Sequence, residues 1–127
     1  METLEITILT DRFAVCTMDS NYPIPLWVLK SRDFYSITRT EEELSIVCFE
    51  ASVPTDIRAE KGWRACKIEG NLDLNTSGIL NSLIEPLAKA DISVFAVSTF
   101  TTDYVLVKEE ALSEAKKVLS EQFEIAF

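Results

Sequence analysis

The sequence predicts an α+β fold of two small sandwiches in tandem, in which antiparallel sheets carry their helices on one face. Three observations predict it. Apolar residues within 79–88 recur at helical spacing, whereas 92–99 and 104–107 are mostly apolar and rich in β-branched side chains, which favours strands. A polar turn at 100–103 joins those strands into a hairpin. A similar order of strand, polar turn and strand occurs earlier in the chain, which indicates an internal repeat.

The repeat aligns residues 37–47 with 97–107 at a constant offset of 60 (97 − 37). It matches strand with strand and turn with turn, and it pairs the acid Glu43 with Asp103. Each half then has the order strand, helix, strand, strand, which is typical of paired ferredoxin-like sandwiches. We therefore expect an N-terminal module over residues 1–60, with a short helix, and a C-terminal module over residues 61–127.

The N-terminal module is predicted to hold four strands and one short helix. Apolar and polar residues alternate over 4–8, and a turn at 10–12 is expected to pair this strand with the next one as a hairpin. The polar residues 52–62, interrupted by Pro54 and Gly62, are the best candidate for a linker. The remaining predicted elements are a strand over 13–18, a short helix over 26–30 beginning near Pro25, and strands over 34–38 and 44–49.

The C-terminal module is predicted to contain a strand over 63–68, a helix, the hairpin and a closing helix over 109–122. Asn75, Thr76 and Ser77 suit the capping of the first helix. Pro86 lies inside that helix, where a proline lowers the stability of the helix by about 3 kcal/mol and produces a kink. We favour a kink that wraps the helix over the sheet rather than one that shapes a binding edge. An edge strand is expected over 125–127. The residues expected to be buried beneath the two helices are Leu83, Leu87, Leu112, Val118 and Leu119.

Composition excludes two classes of partner. The 127 residues include 12 basic and 21 acidic side chains, for a net charge of −9. Nucleic acids and anionic membrane surfaces attract basic patches, so neither is expected as a partner. No apolar run approaches the length of a membrane span, and the acidic N-terminus does not suit a signal peptide. We therefore expect a cytoplasmic protein.

The residues of common enzyme sites are missing from the sequence. There is no histidine, and Gly62, Gly70 and Gly78 lie apart rather than in a phosphate-binding loop. The three cysteines form no CxxC pair and are expected to be reduced members of the core. The sequence thus predicts no catalytic residue, no metal site and no cofactor.

A polar cluster at 98–103 is the best candidate for a binding site. It places three threonines and Asp103 beside the aromatic Phe100. Thr and Asp are common turn formers, so a simple turn explains the cluster about as well as a function does. In the functional interpretation, Asp103 is the counter-charge for a ligand cation, while hydroxyls and backbone amides bind the ligand's polar ends.

Five segments carry a resemblance to a known family. They are RFAVC (12–16), PIPLW (23–27), FYSITRTEEELSIVC (34–48), GWRACKIEG (62–70) and GILNSLIEPLAKADISVFAVSTFTTDYVLVK (78–108). In this order they resemble the ACT-domain family, in its tandem bacterial form related to the CASTOR arginine sensors. ACT domains are βαββαβ regulatory modules that bind amino acids, commonly where two modules meet.

The resemblance implies a sensor of a small molecule, with an amino acid as the leading ligand and a homodimer as the assembly. Unlike in ACT proteins that carry a catalytic domain, no attached enzyme domain is expected. The alternatives are a protein-interaction module without a small ligand and, less favoured, a small transferase. The implied binding residues are those of the helix start and of the turn: Gly78, Ile79, Ser98, Thr99, Phe100, Thr101 and Asp103.

Overall fold

The computed structural model describes residues 4–69 and 78–126. Within them the strands are β1 (Glu5–Met18), β2 (Ser36–Arg39), β3 (Leu44–Phe49), β4 (Arg58–Ile68), β5 (Val94–Ser98), β6 (Asp103–Lys108) and β7 (Glu124–Ala126). The α-helices are α1 (Ile79–Lys89) and α2 (Leu112–Leu119), and short 3-10 helices cover Leu26–Lys30, Glu50–Ser52 and Glu109–Ala111. The chain divides into two compact units: a small unit of residues 11–63, and a large unit of the residues up to 10 and from 64 onward.

The small unit is an antiparallel sheet in the order β2-β3-β1, together with the 3-10 helix Leu26–Lys30. Phe13 stacks at 5.5 Å from Phe34 and at 5.4 Å from Phe49, measured between ring centroids. Its core consists of small and branched side chains: Ala14, Cys16, Val28, Leu44, Ile46, Cys48 and Val53. The predicted short helix and the strand at 44–49 are both confirmed.

The large unit is a sheet in the order β1-β4-β6-β5, to which β7 adds by pairing in parallel with β1. Both α-helices contribute side chains to the same core as the strands, so they lie on one face of the sheet, as predicted. The core residues are Ile6, Ile8, Cys66, Ile68, Leu83, Leu87, Val105, Val107, Leu112, Ala115, Leu119 and Phe123.

The predicted core residues of the closing helix are buried to different degrees. Leu112 and Leu119 are buried, as is Ala115 on the same helix, whereas Val118 is half-buried. Since successive residues are separated by about 100° around a helix, Val118 lies a third of a turn away from the buried Leu119. In the first helix, Leu83 and Leu87 are fully buried as predicted, and Pro86 does lie within the helix.

The predicted hairpin over 4–18 is wrong, because β1 is one continuous strand of 14 residues. The polar residues Thr10, Asp11 and Arg12 are exposed in the middle of the strand. The segment has no Gly, Pro or Asn to supply the backbone conformation of a tight turn. Polarity there marks exposure rather than a reversal of the chain.

The predicted linker over 52–62 is also wrong, because β4 begins at Arg58 and continues through Gly62. Gly62 has φ +82°, and its N–H donates to Glu50 Oε1 at 2.7 Å. A glycine with positive φ inside a strand has the conformation of a β-bulge, where the ladder is interrupted. Gly62 therefore lies within a strand instead of ending one.

Candidate functional site

The predicted site residues fall on two features of the large unit, the start of α1 and the turn between β5 and β6. Ser98 ends β5 and Asp103 begins β6, so the turn spans Thr99–Thr102. Helix α1 packs against both strands of this hairpin. Among the described residues, no hydrogen bond joins Gly78 or Ile79 to the turn. The structure thus brings the turn residues together and places the helix start in the same unit.

The start of α1 offers backbone groups, and not a capping side chain, at Gly78. Gly78 precedes the helix with φ +84° and, having no side chain, caps none of its N–H groups. Its carbonyl accepts from the backbone N–H of Ser82 at 2.9 Å and from the Ser82 hydroxyl at 2.8 Å. The predicted capping residues 75–77 lie outside the described residues.

The turn is held from within by two threonines. The N–H of Thr99 donates to the carbonyl of Thr102 at 2.8 Å, and the N–H of Thr102 donates to Thr99 Oγ1 at 3.1 Å. Thr102 is only 8% exposed, and its hydroxyl donates to the carbonyl of Ile68 at 2.5 Å. Phe100 is 74% exposed and Thr101 is exposed as well, so the tip of the turn faces solvent.

Asp103 has one occupied carboxylate oxygen. Its Oδ1 accepts from the Ser98 hydroxyl across the hairpin at 2.5 Å. Its Oδ2 accepts no hydrogen bond from any described residue. The hydroxyl therefore orients the carboxylate while leaving one oxygen for another donor, and a cation is the strongest donor for it.

The two hairpins are related by an offset that differs from the sequence alignment. Arg39 pairs with Leu44 in the small unit, and Ser98 pairs with Asp103 in the large unit, so the structural offset is 59 (98 − 39 and 103 − 44). In both turns the first threonine donates its N–H to the fourth residue's carbonyl at 2.8 Å. Glu43 therefore corresponds to Thr102, and its predicted pairing with Asp103 is wrong.

Sequence reasoning missed the role of Thr102. The residue was visible as part of the polar cluster, but a threonine next to an exposed threonine and an aspartate gives no sign of burial. Only the packing of the turn against the end of β4 separates Thr102 from the two exposed residues before it.

The three thiols are buried, and those of Cys48 and Cys66 have a raised pKa, unlike the thiol of a reactive cysteine. Cys16, Cys48 and Cys66 are all free and buried, as predicted. Burial raises the pKa of Cys66 to about 11, although Arg64 and Lys116 act to lower it. A hydrogen bond between the thiols raises the pKa of Cys48 and lowers that of Cys16. A thiol that stays protonated at neutral pH is a poor nucleophile, so the core interpretation of Cys66 and Cys48 is favoured.

Residues 4–69 and 78–126 contain no group of three or more Cys, Asp and Glu side chains arranged to hold a metal ion. No helix in the same residues is long and apolar enough to cross a membrane.

A sheet that carries two helices on one face gives the large unit a ferredoxin-like architecture. Comparison with protein families agrees. A model described as "ACT domain" matches residues 58–121, and a separate N-terminal domain model matches residues 11–56. The chain belongs to the ACT domain family.

Curated relatives include arginine sensors. The protein named "Cytosolic arginine sensor for mTORC1 subunit 1" from Rattus norvegicus is 30% identical over 115 residues, covering 80% of this chain and 35% of that protein. The Homo sapiens protein of the same name is 29% identical over 103 residues, covering 72% of this chain and 31% of that protein. The chain therefore spans about a third of the length of these relatives.

Solved structures share the fold. A crystal structure of a protein from Agrobacterium tumefaciens has a TM-score of 0.90 at 32% identity and covers 98% of this chain and 93% of that chain. The regulatory subunit of aspartate kinase from Thermus thermophilus has a TM-score of 0.65 at 12% identity, covering 94% of this chain and 97% of that chain. At that identity the second structure shows the fold alone.

Proposed function

We propose that this protein is a non-enzymatic regulatory protein that senses an amino acid through the β5–β6 turn. The observation that supports the proposal most directly is the carboxylate of Asp103, oriented by Ser98 and open at its second oxygen. Every amino acid carries an ammonium group, which is a compact cation that pairs well with such a carboxylate. The ligand class is also supported by relatives that are named arginine sensors.

The rest of the site is proposed from the ACT family. The N–H groups at Gly78 and Ile79 would bind the ligand's carboxylate, because the start of a helix favours negative charge. Ser98, Thr99, Phe100 and Thr101 would surround the ligand with hydroxyls, backbone amides and one aromatic ring.

The assembly belongs to the same proposal. The sequence predicts two ACT-like modules in tandem over residues 1–60 and 61–127, although the residues up to 10 belong to the same compact unit as those from 64 onward. We propose that the second modules of two copies, each completed by the first strand of its own chain, pair in a homodimer with the ligand where they meet. A cytoplasmic location is supported by the word "cytosolic" in the relatives' name. The ligand would stabilise whichever arrangement of the copies binds it better.

The test is a thermal-shift screen against the twenty standard amino acids, followed by the variant Asp103→Asn. Asparagine keeps an acceptor for Ser98 and removes only the charge. At a ligand concentration of about 100 Kd the native protein gains about 2.7 kcal/mol, which raises its unfolding temperature by several degrees. A charge-assisted pair contributes about 1.5–3 kcal/mol, so the variant should bind about ten- to a hundredfold more weakly.

Glu121→Gln is the matched control, since it removes one negative charge from an exposed position of the large unit. It should leave the shift intact, whereas Asp103→Asn should lose about half of the shift or more and keep its unliganded midpoint. A full shift in Asp103→Asn would place the site elsewhere. No shift with any amino acid would remove the proposed ligand class.

The second candidate is a protein-interaction module without a small ligand. A specific observation favours it: large apolar side chains are exposed in the small unit, at a distance along the chain from the turn. The thermal-shift screen separates the two candidates, because an interaction module would show no shift with any amino acid.

A further inference from the structure

Two of the three cysteines lie beside each other in the core of the small unit. Cys16 belongs to β1 and Cys48 to β3, and these two strands pair antiparallel. Ala14 is directly opposite Cys48, and Cys16 is directly opposite Ile46. Side chains two residues apart along a strand point to the same face of the sheet. Both thiols therefore face the same side, as diagonal neighbours on adjacent strands.

The packing around the pair leaves room for the two sulfur atoms to approach. The crossing diagonal joins Ala14 to Ile46, and the alanine contributes only a methyl group to this part of the core. The thiol of Cys48 donates a hydrogen bond to the sulfur of Cys16. Both cysteines are free, so the contact is between two reduced thiols.

The surroundings of the pair are apolar. Cys16 is 1% exposed and Cys48 is 0% exposed. The other core residues of the small unit are Ala14, Val28, Leu44, Ile46 and Val53. A bound metal ion would bring charge into these surroundings at a high cost, whereas a disulfide is neutral. A covalent bond between the thiols is thus the chemistry that suits this environment.

The two thiols are not equivalent. The hydrogen bond from Cys48 lowers the pKa of Cys16 against the effect of burial, and the positive charge of Lys61 lowers it further. The same hydrogen bond, together with burial, raises the pKa of Cys48. The thiolate is the nucleophilic form of cysteine. Cys16 is therefore suited to react first, and Cys48 to react with the product.

We propose that Cys16 and Cys48 are a redox modification site, which a hydroperoxide converts to a reversible disulfide between β1 and β3. The thiolate of Cys16 attacks one oxygen of the peroxide, the O–O bond breaks, and the leaving hydroxide takes up the thiol proton. The sulfur of Cys48 then attacks the sulfur of the resulting sulfenic acid, the S–O bond breaks, and water leaves with the Cys48 proton. Two thiols are oxidised and the peroxide is reduced to water. The site needs no amino acid and goes beyond the proposed function.

The diagonal placement accounts for the reversibility. Diagonal neighbours on adjacent strands are farther apart than residues directly opposite each other, whereas a disulfide requires its two Cβ atoms to lie close together. Closing the bond would therefore draw β1 and β3 towards each other. A disulfide formed under such constraint is readily reduced by a thiol, in contrast to a permanent structural bridge.

Oxidation of the full chain with hydrogen peroxide tests the proposal. Free thiols are alkylated after denaturation, and the intact and digested protein is analysed by mass spectrometry. The native protein should lose two hydrogen atoms, keep Cys66 as its one alkylated cysteine and give a peptide that links Cys16 to Cys48. Dithiothreitol should restore all three thiols. Three reduced thiols after prolonged exposure, under conditions that oxidise free glutathione completely, would overturn the proposal.

Oxidation of the chain unfolded in urea shows whether the native contact selects the pair. Cys48 and Cys66 are separated by 18 residues (66 − 48), and Cys16 and Cys48 by 32 residues (48 − 16). Because a shorter loop closes at a lower entropic cost, the unfolded chain should form the bond between Cys48 and Cys66 more readily. The native chain should form only the bond between Cys16 and Cys48. The same mixture of products from both chains would overturn the proposal.

Two alanine variants separate the roles of the buried thiols. Cys66→Ala is the matched control, since it also removes one buried sulfur, and it should still form the disulfide. Cys48→Ala leaves Cys16 without its partner, so this variant should gain oxygen at Cys16 in place of losing two hydrogen atoms. Circular dichroism checks that both variants are folded. An intramolecular disulfide in Cys48→Ala, or none in Cys66→Ala, would refute the pairing.

Discussion

Thr102 differs from the other residues of the β5–β6 turn because its hydroxyl is buried. Phe100 and Thr101 precede it and face solvent, whereas Thr102 Oγ1 donates to the carbonyl of Ile68 at 2.5 Å. This bond ties the turn to the end of β4. The bond therefore holds Thr102, the neighbour of Asp103 in the chain, against the end of β4.

Thr102→Val should test the contribution of that bond, since valine has the shape of threonine without the donor. It leaves the carbonyl of Ile68 without its partner and should lower the free energy of unfolding by about 1–3 kcal/mol in a urea titration. Thr102→Ser retains the donor and should recover most of the loss. If the valine variant is as stable as the native protein, the buried bond contributes nothing.

At the scale of elements, the two hairpin turns share a backbone pattern but differ in chemistry. Both begin with a threonine whose N–H donates to the fourth residue's carbonyl. The fourth residue is Glu43 in one turn and the buried Thr102 in the other. Glu43 accepts from the hydroxyl of Thr17 at 2.8 Å and so lies within its own sheet's network. The open carboxylate of Asp103 has no counterpart in the small unit.

Gly62, within β4, has a backbone conformation that favours glycine. Its φ of +82° is costly for any residue with a Cβ atom, although a Cβ placed there would meet nothing within 4 Å. Gly62→Ala should therefore lower the free energy of unfolding by about 1–2 kcal/mol through backbone strain alone. Gly62→Asn should cost less, because asparagine tolerates this conformation better.

Urea titration of both variants checks the prediction. The native protein should be the most stable, followed by Gly62→Asn and then by Gly62→Ala. If Gly62→Ala is as stable as the native protein, the strand can adopt another backbone conformation at this position without a loss of stability.

The sequence predicted the elements that have strong periodic patterns. The helix over 79–89, the hairpin that follows it and the strand over 44–49 were all recognisable, because packing against a core repeats at regular spacing. It failed where polar residues lie within a strand, as at Thr10–Arg12 and at Gly62, since exposure and chain reversal leave the same signature. The offset of the repeat was one residue out because strand pairing, and not matching acids, sets the register.

The candidate site could be predicted in part. Its position at the turn follows from the clustered polar residues, but the hydrogen bond between Ser98 and Asp103 does not. That bond joins residues paired across two strands, and no local pattern specifies which side chains will meet. The sequence accordingly indicated Asp103 as a candidate binding residue, and the structure adds the orientation of its carboxylate by Ser98.

At the scale of the whole molecule, the compact units do not follow the order of the chain. The large unit takes residues up to 10 as well as those from 64 onward. The first stretch supplies Ile6 and Ile8, which are almost completely buried. It also pairs with β7, with Glu5 opposite Glu124. A piece cut from the C-terminal half would therefore lack a central strand of its own sheet.

The isolated segment 61–127 should accordingly be unfolded by circular dichroism and show no cooperative melt.

The missing strand can be restored within one chain. The N–H of Glu69 donates to the carbonyl of Glu5 at 2.8 Å, and Arg64 Nη2 donates to the carbonyl of Leu9 at 3.1 Å, so the two strands run antiparallel, with Thr10 close to Arg64. Joining residues 1–10 to residues 64–127 through an Asn-Gly turn should therefore close a hairpin and give a chain that melts cooperatively. If the joined chain is as disordered as segment 61–127, then the first strand is not what that segment lacks. If segment 61–127 folds without it, Ile6 and Ile8 are dispensable to the core of the large unit.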